Sequence, residues 1–304
     1  MSLREFIALG TGSQVPTRHR NHNGYLLRWD GPGFLFDPGE GIQRQFIHAD
    51  IAVTCVSRIF ITHFHGDHAL GLSGIVQRLS LDKVEHPVEI FYPASGECYF
   101  QRLLNSTIYY KQVEIVPRPV SGAGGIVAED DQFVIEARPL DHSVDTYGYR
   151  IRERDGIRFD KAALARAGVE GVEIRQLQRD GFVYTASGRV DIGDVSVPRR
   201  GAVFAFVMDT RVCPGALELV RGADMAVIEA TYLEEDRKVA HERFHLTARQ
   251  AAEIARDGGV QGTLVLAHFS QRYPRVEPFL EQAREVFADV HAVRDLDRLV
   301  FARP

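Results

Sequence analysis

Cysteine is scarce in this chain, and long apolar runs are missing from it. The three cysteines, Cys55, Cys98 and Cys213, are too few for a disulfide framework, and they lack the Cys-x-x-Cys spacing of a thiolate metal site. No run approaches the roughly 18 apolar residues that span a bilayer, and the N-terminus lacks the basic-then-apolar order of a secretory signal. These absences predict a cytoplasmic protein without a membrane partner.

Excess positive charge is also missing. The formal net charge of −5 argues against indiscriminate nucleic-acid binding, although it leaves room for a locally basic surface. With 304 residues, 45% of them hydrophobic, the chain can form one large domain or two small ones.

Short apolar runs bounded by Gly, Pro or Asp alternate with runs of helical periodicity, which predicts an α/β protein. The predicted strands cover residues 3–9, 25–29, 34–36, 58–61, 88–92, 202–208, 225–228 and 262–267. Helices are predicted at residues 40–48, 70–80, 214–220, 247–256 and 276–287. Thr247 and Gln250 have the identities and the spacing of a capping box at the start of one of these helices.

A dense group of polar side chains at residues 62–68 follows directly on one predicted strand. Imidazole nitrogen and carboxylate oxygen suit zinc, manganese or iron, and a strand end followed by glycine lets them converge at a sharp turn. Alternation along an extended segment points His63 and His65 to the same side. Asp67 and His68 lie beyond the turn, where they could reach a second ion. The spacing therefore predicts two metals, and a solvated loop that happens to be rich in histidine is the alternative.

Three more candidate ligands stand at the ends of strand-like runs. Asp209 and His268 each terminate a predicted strand, and His142 follows the strand-like segment 133–140. A single Asp or His at a strand end is more often a helix N-cap or a surface residue. Together with the first group, however, these residues complete a set of seven donors, in which the Asp209 carboxylate could bridge two ions.

The middle of the chain differs in composition. Residues 150–200 carry eleven basic and eight acidic side chains, with few apolar runs, and we interpret residues 152–195 as an inserted arm. The charge of this segment, taken alone, is about as compatible with an ordinary solvated helix and hairpin as with a surface that contacts nucleic acid.

These motifs resemble the metallo-β-lactamase superfamily, which carries an HxHxDH cluster followed downstream by a His, a bridging Asp and a last His. Within that superfamily the chain resembles the ribonuclease Z family over nearly its whole length. The matching segments are 9–13, 16–21, 36–45, His142 with 148–150, 229–231 with His245, and 268–273. The resemblance implies one metallo-β-lactamase-fold domain over residues 1–304, a four-layer αββα sandwich with the arm inserted.

The resemblance also implies a function: a zinc-dependent endoribonuclease that removes the 3′ trailer of precursor tRNA. The implied ligands are His63, His65 and His142 for one zinc and Asp67, His68 and His268 for the other, with Asp209 bridging. Mn²⁺ or Fe²⁺ could replace Zn²⁺ at such donors. The remaining implied roles are orientation of the site for Asp37, proton acceptance for Asp67, proton donation for His245 held by Glu229, and phosphate binding for Ser270 and Arg272.

A homodimer is implied as well, in which the arm of one subunit grips the tRNA that the other subunit cuts, and no further protein partner is inferred. Two other functions remain open. A sibling phosphodiesterase or arylsulfatase-like hydrolase would keep the metals and act on a small substrate without needing the arm. A binding module with a structural or sensory metal fits less well, because seven His and Asp donors leave coordination positions open to water.

Overall fold

The computed structural model describes residues 3–186 and 188–302, which form two compact units. The first unit comprises the chain up to Arg152 together with Val203–Ala302, and the second comprises Glu153–Ala202. The second unit overlaps the segment 152–195 that was predicted to be an arm and extends it to Ala202. Among the described residues, no helix is both long enough and apolar enough to cross a bilayer.

Strands alternate with short helices along the described chain. The strands are β1 (Arg4–Gly10), β2 (Gly24–Trp29), β3 (Gly33–Phe36), β4 (Val56–Phe60), β5 (Val88–Pro93), β6 (Ile115–Val120), β7 (Gly125–Glu129), β8 (Phe133–Pro139), β9 (Tyr147–Glu153), β10 (Gly156–Phe159), β11 (Phe182–Thr185), β12 (Gly188–Asp191), β13 (Ser196–Arg199), β14 (Val203–Val207), β15 (Met225–Glu229), β16 (Thr263–Ala267), β17 (Val290–Ala292) and β18 (Arg298–Val300). The α-helices are α1 (Ile42–His48), α2 (Gly66–Ala69), α3 (Leu72–Leu81), α4 (Glu97–Leu104), α5 (Lys161–Ala167), α6 (Val172–Asp180), α7 (Pro214–Val220), α8 (Arg237–Glu242), α9 (Ala248–Asp257) and α10 (Glu277–Arg284).

In the described part of the first unit, the strands form two seven-stranded sheets. Their orders are β18-β1-β2-β3-β4-β5-β6 and β17-β16-β15-β14-β9-β8-β7. Strands β3 to β6 are parallel to one another, and so are β14 to β17. Because the carboxyl ends of parallel strands meet at one edge of a sheet, the loops that follow them collect there.

The two sheets pack face to face, and helices cover the outer face of each. Along β14, Val203, Ala205 and Val207 pack against α7, α9 and α10, while the phenylalanines between them point to the other sheet. The interface between the sheets is aromatic: the rings of Phe36 and Phe206 are 4.6 Å apart between centroids. Helices α1, α3 and α4 cover the first sheet. This order of layers confirms the predicted αββα sandwich.

The predicted elements of the first unit lie within about two residues of the observed ones at most of their ends, as expected for boundaries read from sequence. The capping box at α9 is present, because Gln250 N donates to Thr247 Oγ1 at 3.2 Å and Thr247 N donates to Gln250 Oε1 at 3.0 Å. Helix α2, a single turn inside the histidine-rich segment, was not predicted.

The second unit has a small core of its own. Its buried apolar side chains are Leu164, Val169, Leu177, Val183, Val190 and Val195. Asp160 caps α5 by accepting hydrogen bonds from two backbone N–H groups, and β11 and β12 form a hairpin. The chain enters and leaves this unit side by side, since Glu153 N donates to Ala202 O at 2.8 Å.

Candidate metal centre and active site

Several of the predicted donors leave the carboxyl ends of strands, on backbone that non-glycine residues rarely adopt. Asp209 follows β14 with φ of 49°, and His268 follows β16 with φ of 62°. Asp37, after β3, has φ of 43°. Left-handed backbone at a non-glycine residue costs about 1 kcal/mol or more, and such residues concentrate at functional sites. Here the turn directs each side chain back toward the strand ends instead of continuing the sheet.

One group of donors is formed by His63, His65, His142 and Asp209, whose ligand atoms lie within 4.8 Å of one another. The Nδ1 atom of His63 faces the Thr62 hydroxyl at 3.0 Å, and that of His142 faces the carbonyl of Phe244 at 3.1 Å. Since Nδ1 is occupied in both rings, Nε2 points into the group, 3.7 and 3.8 Å from Asp209 Oδ2.

A second group is formed by Asp67, His68 and His268, again within 4.8 Å. His68 Nδ1 lies 2.9 Å from Asp37 Oδ2, so the buried Asp37 carboxylate orients this ring. Asp209 lies between the two groups, with Oδ2 at 3.4 Å from His68 Nε2 and Oδ1 at 3.1 Å from His268 Nε2.

The donor set fits divalent cations. Asp209 Oδ1 and His268 Nε2 are buried and have no hydrogen-bond partner among the described residues, although they lie close together. Burial lowers the pKa values of His63 and His142, which keeps their imidazoles in the neutral form that metals bind. Burial alone would raise the pKa of Asp209, but the nearby His268 and His68 hold it well below its ordinary value. Burial lowers the pKa of His68 as well, but the carboxylates of Asp209, Asp67 and Asp37 outweigh burial and raise that pKa well above its ordinary value. A zinc, manganese or iron ion bound at these donors would take the place of the proton on His68.

Glu229, which is buried, and His245, which is partly buried, form a pair beside the metal donors. Glu229 Oε1 accepts hydrogen bonds from His245 Nδ1 and from Thr210 N, both at 2.9 Å. Burial lowers the pKa of His245, but the negative charges of Glu229 and Asp209 outweigh it and raise the pKa to about 9. Because Nδ1 is engaged by Glu229, Nε2 is the nitrogen that can act on a bound substrate.

The groups open into a cleft of about 510 Å³. Its lining includes the donors His65, Asp67, His142, Asp209 and His268, together with His245, Ser270, Arg272, Tyr232, Arg243 and Phe244. The cleft therefore brings every predicted catalytic and phosphate-binding residue except Glu229 to one surface, and Glu229 lies directly behind His245.

Comparison with known proteins identifies the family. A family model described as anti-Pycsar protein Apyc1 matches residues 4–112, and one described as beta-lactamase superfamily domain matches residues 161–269. A ribonuclease Z of Nocardia farcinica is 52% identical over 300 residues, covering 98% of each chain. One of Streptomyces coelicolor is 50% identical over 301 residues, with the same coverage. The chain belongs to the ribonuclease Z family.

The solved structures agree with the fold of the ribonuclease Z family. The crystal structure of the short form of human tRNase Z is similar with a TM-score of 0.72 and 23% identity, covering 98% of this chain and 99% of that one. The metallo-β-lactamase fold and the resemblance inferred from the sequence are thus confirmed, and so is the prediction of a metal-dependent hydrolase.

Arg272 has partners that the ribonuclease Z motif does not indicate. Its guanidinium NH1 donates to Asp236 Oδ2 at 3.2 Å, and the group lies over the ring of Tyr232 at 5.1 Å. A phosphate would have to share this guanidinium with Asp236.

A clamp that the sequence did not predict supports the loops beside the cleft. Arg211 donates through Nε and NH2 to the two oxygens of Asp141, both at 2.9 Å, and its guanidinium lies 4.2 Å from the ring centroid of Phe244. Asp141 precedes the donor His142, and Phe244 precedes His245. The clamp thus joins two loops that carry site residues, and the only sequence signal was adjacency to them.

Proposed function

We propose that the chain is a zinc-dependent endoribonuclease that removes the 3′ trailer of precursor tRNA by hydrolysing the phosphodiester at the 3′ side of the tRNA body. One observation carries this proposal. The Asp209 carboxylate, which is common to both donor groups, and the His245–Glu229 pair lie at the same cleft. Identities of 52% and 50% to proteins named ribonuclease Z support the choice of substrate.

Two zinc ions would be held by the two donor groups, with Asp209 common to both. The residues are His63, His65 and His142 for one ion and Asp67, His68 and His268 for the other. A bound zinc ion acts as a Lewis acid and lowers the pKa of its water to about 7. Manganese or iron would suit the same donors.

The protein's own residues account for the proton transfers. Asp67 lines the cleft and lies 3.6 Å from His268 and 3.3 Å from His68, and it accepts the proton of the attacking water. The water oxygen bonds to phosphorus while the bond from phosphorus to the 3′ oxygen breaks. His245 delivers a proton to that leaving oxygen, with its ring fixed by Glu229. The products are a tRNA body ending in a 3′ hydroxyl and a trailer with a 5′ phosphate.

Ser270 and Arg272 would bind the free oxygens of the scissile phosphate. Both line the cleft beside His268. Guanidinium geometry matches phosphate oxygens well, and in this proposal Arg272 moves from Asp236 to the substrate when RNA binds.

For the second unit we propose binding to the body of the tRNA through the phosphate backbone, as part of a homodimer. The cations offered for this contact are Arg154, Arg158, Lys161, Arg166 and Arg175 of the second unit, together with Arg152, the last residue before it. Such contacts position RNA without reading its sequence. Size measurement in solution, by sedimentation or light scattering, tests the dimer, and a monomer at working concentration contradicts it.

One observation favours the alternative of a small-substrate hydrolase. In residues 152–195 eight basic side chains are balanced by eight acidic ones, and two of the arginines pair with acids one or two positions away in the chain, Arg179 with Asp180 and Arg189 with Asp191. The segment 152–195 therefore has no excess positive charge to attract RNA over a distance.

Incubation of the zinc-loaded protein with a precursor tRNA and, separately, with a chromogenic phosphodiester tests the two functions. Cleavage just past the discriminator nucleotide supports tRNA processing. Hydrolysis of the small ester with intact RNA supports the alternative, and no activity on either substrate with tight metal retention supports a binding module.

Substitution of His245 tests the proton donor. We expect His245→Ala to lower turnover of precursor tRNA by about 10²–10⁴-fold with unchanged zinc content. His241→Ala is the matched control, because His241 is an exposed histidine on the preceding helix. A loss of less than about threefold in His245→Ala would contradict the role.

A further inference from the structure

The cleft has two guanidinium groups, and their surroundings differ. Arg272 is held by Asp236 and stacks on Tyr232. Arg243 is exposed, and its side chain makes no hydrogen bond or ion pair with any residue that the structure describes. Arg243 is therefore a positive charge that lines the cleft without an internal partner.

The charge of Arg243 acts on the interior of the cleft. Burial raises the pKa of the Tyr232 hydroxyl, and the positive charges of Arg272 and Arg243 oppose that rise. Tyr232 also lines the cleft, and its ring lies 6.0 Å from that of His245. The charge of Arg243 thus acts at Tyr232, which lines the same cleft as His245.

The backbone that carries Arg243 is fixed on both sides. Arg243 N donates to the carbonyl of Val239 at 3.0 Å, and His245 N donates to that of Ala240 at 2.8 Å. Between them Phe244 has φ of 60°, and its carbonyl lies 3.1 Å from His142 Nδ1. Because these hydrogen bonds fix the backbone of the turn, the position of Arg243 relative to His245 is fixed as well.

We propose that Arg243 binds the backbone phosphate on the 5′ side of the nucleotide whose 3′ oxygen leaves, at the end of the tRNA acceptor stem. The inference rests on the proposed function, because it takes His245 to mark the position of the leaving oxygen. A neighbouring phosphate fits better than the scissile one, since the scissile phosphate belongs with the metal donors and Arg243 is exposed at the wall of the cleft. Arg243 then strengthens RNA binding and has no part in bond cleavage.

The test compares Arg243→Gln and Arg243→Lys with the control Arg237→Gln, all zinc-loaded. Arg237 is an exposed arginine of α8 that pairs with Glu234 at 2.9 Å, so its replacement removes the same formal charge from the same segment. The measurements are kcat and KM for precursor tRNA over a series of salt concentrations, and turnover of bis(4-nitrophenyl) phosphate as a small ester.

In Arg243→Gln we expect KM for precursor tRNA to rise about tenfold, with kcat and small-ester turnover unchanged within twofold. The plot of log(kcat/KM) against log salt concentration should become shallower by about 0.7 to 1, because one phosphate contact is lost. Arg243→Lys should recover most of the salt dependence, and Arg237→Gln should match the wild type.

An unchanged salt slope and KM in Arg243→Gln would overturn the inference while leaving the proposed function standing. Equal losses on RNA and on the small ester would also overturn it, since they would place Arg243 in the chemistry or in the fold. Failure of the wild type to cleave precursor tRNA would instead reject the proposed function, and this inference with it.

Discussion

Replacing Thr231 by valine removes one hydroxyl group and keeps the shape of the side chain. That hydroxyl is buried between two site residues: it donates to Glu229 Oε2 and lies 2.7 Å from His268 Nδ1. A hydroxyl has a single proton, so the contact with His268 requires the ring to donate from Nδ1. The hydroxyl thereby leaves Nε2 of His268 unprotonated and turned toward the metal donors.

The expected size of the effect follows from the two partners. In Thr231→Val the buried Nδ1–H of His268 has no acceptor, which costs about 1–3 kcal/mol. Loss of a group that orients a metal-binding histidine typically weakens metal affinity about 10–100-fold, or roughly 1.4–2.7 kcal/mol at about 1.4 kcal/mol per tenfold. The two ranges agree, so we expect one of the two metal positions to weaken by about one to two orders of magnitude.

Zinc affinity is measured by competition with a chromophoric chelator, and zinc content is measured per chain after dialysis. Thr231→Ser is the matched control, since it keeps the hydroxyl and loses only a methyl group. Wild-type affinity in Thr231→Val, within twofold, would refute the orienting role. Equal weakening in the valine and serine variants would attribute the effect to packing and not to the hydroxyl.

Three further predictions concern the support of the site. A Cβ at Gly39 would lie 2.2 Å from the carbonyl oxygen of Asp67, so Gly39→Ala should displace the loop that carries Asp67. We expect turnover of precursor tRNA and of the small ester to fall about 100-fold, with an unchanged far-ultraviolet circular dichroism spectrum. Normal turnover would contradict the close approach. Removal of metal by a chelator should lower the melting temperature, because a metal at 1,000 times its Kd stabilises the fold by about 4 kcal/mol, and a melting temperature independent of metal would refute a bound ion. Arg211→Gln should lower kcat more than it raises KM, because the turn at Phe244 loses the contact with the Arg211 guanidinium. A change in KM alone in steady-state assays would point to substrate binding instead.

The seven donors could be predicted from the sequence because they follow strands that are recognisable as short apolar runs. His63, Asp209 and His268 each stand within two or three residues of such a run, where the fold must place them at a sheet edge. The division of the donors into two sets came from the family resemblance and not from spacing. The structure brings the same residues together, while their roles as ligands stay predictions.

The features that the sequence analysis missed depend on contacts between distant segments. The stacking of Arg211 on Phe244 and the pairing of Arg272 with Asp236 join parts of the chain that only tertiary folding brings together. The exposure of Arg243 is equally invisible, because a cation without a partner has no sequence signature. Helix α2 was missed because a single turn is too short for a period to be recognised.

The left-handed backbone at Asp37, Asp209 and His268 positions side chains that the function needs, but it lowers the stability of the folded chain. Glycine adopts that conformation without strain, so glycine at any of these positions would relieve about 1 kcal/mol of strain in the folded state. For the metal-free chain, selection for thermal stability alone would therefore tend to remove the Asp209 and His268 side chains, whereas Asp37 is retained by the buried hydrogen bonds that it accepts from Thr62. Any programme of stabilisation, by directed evolution or by consensus design, should hold these three residues constant and seek its gains elsewhere in the two sheets.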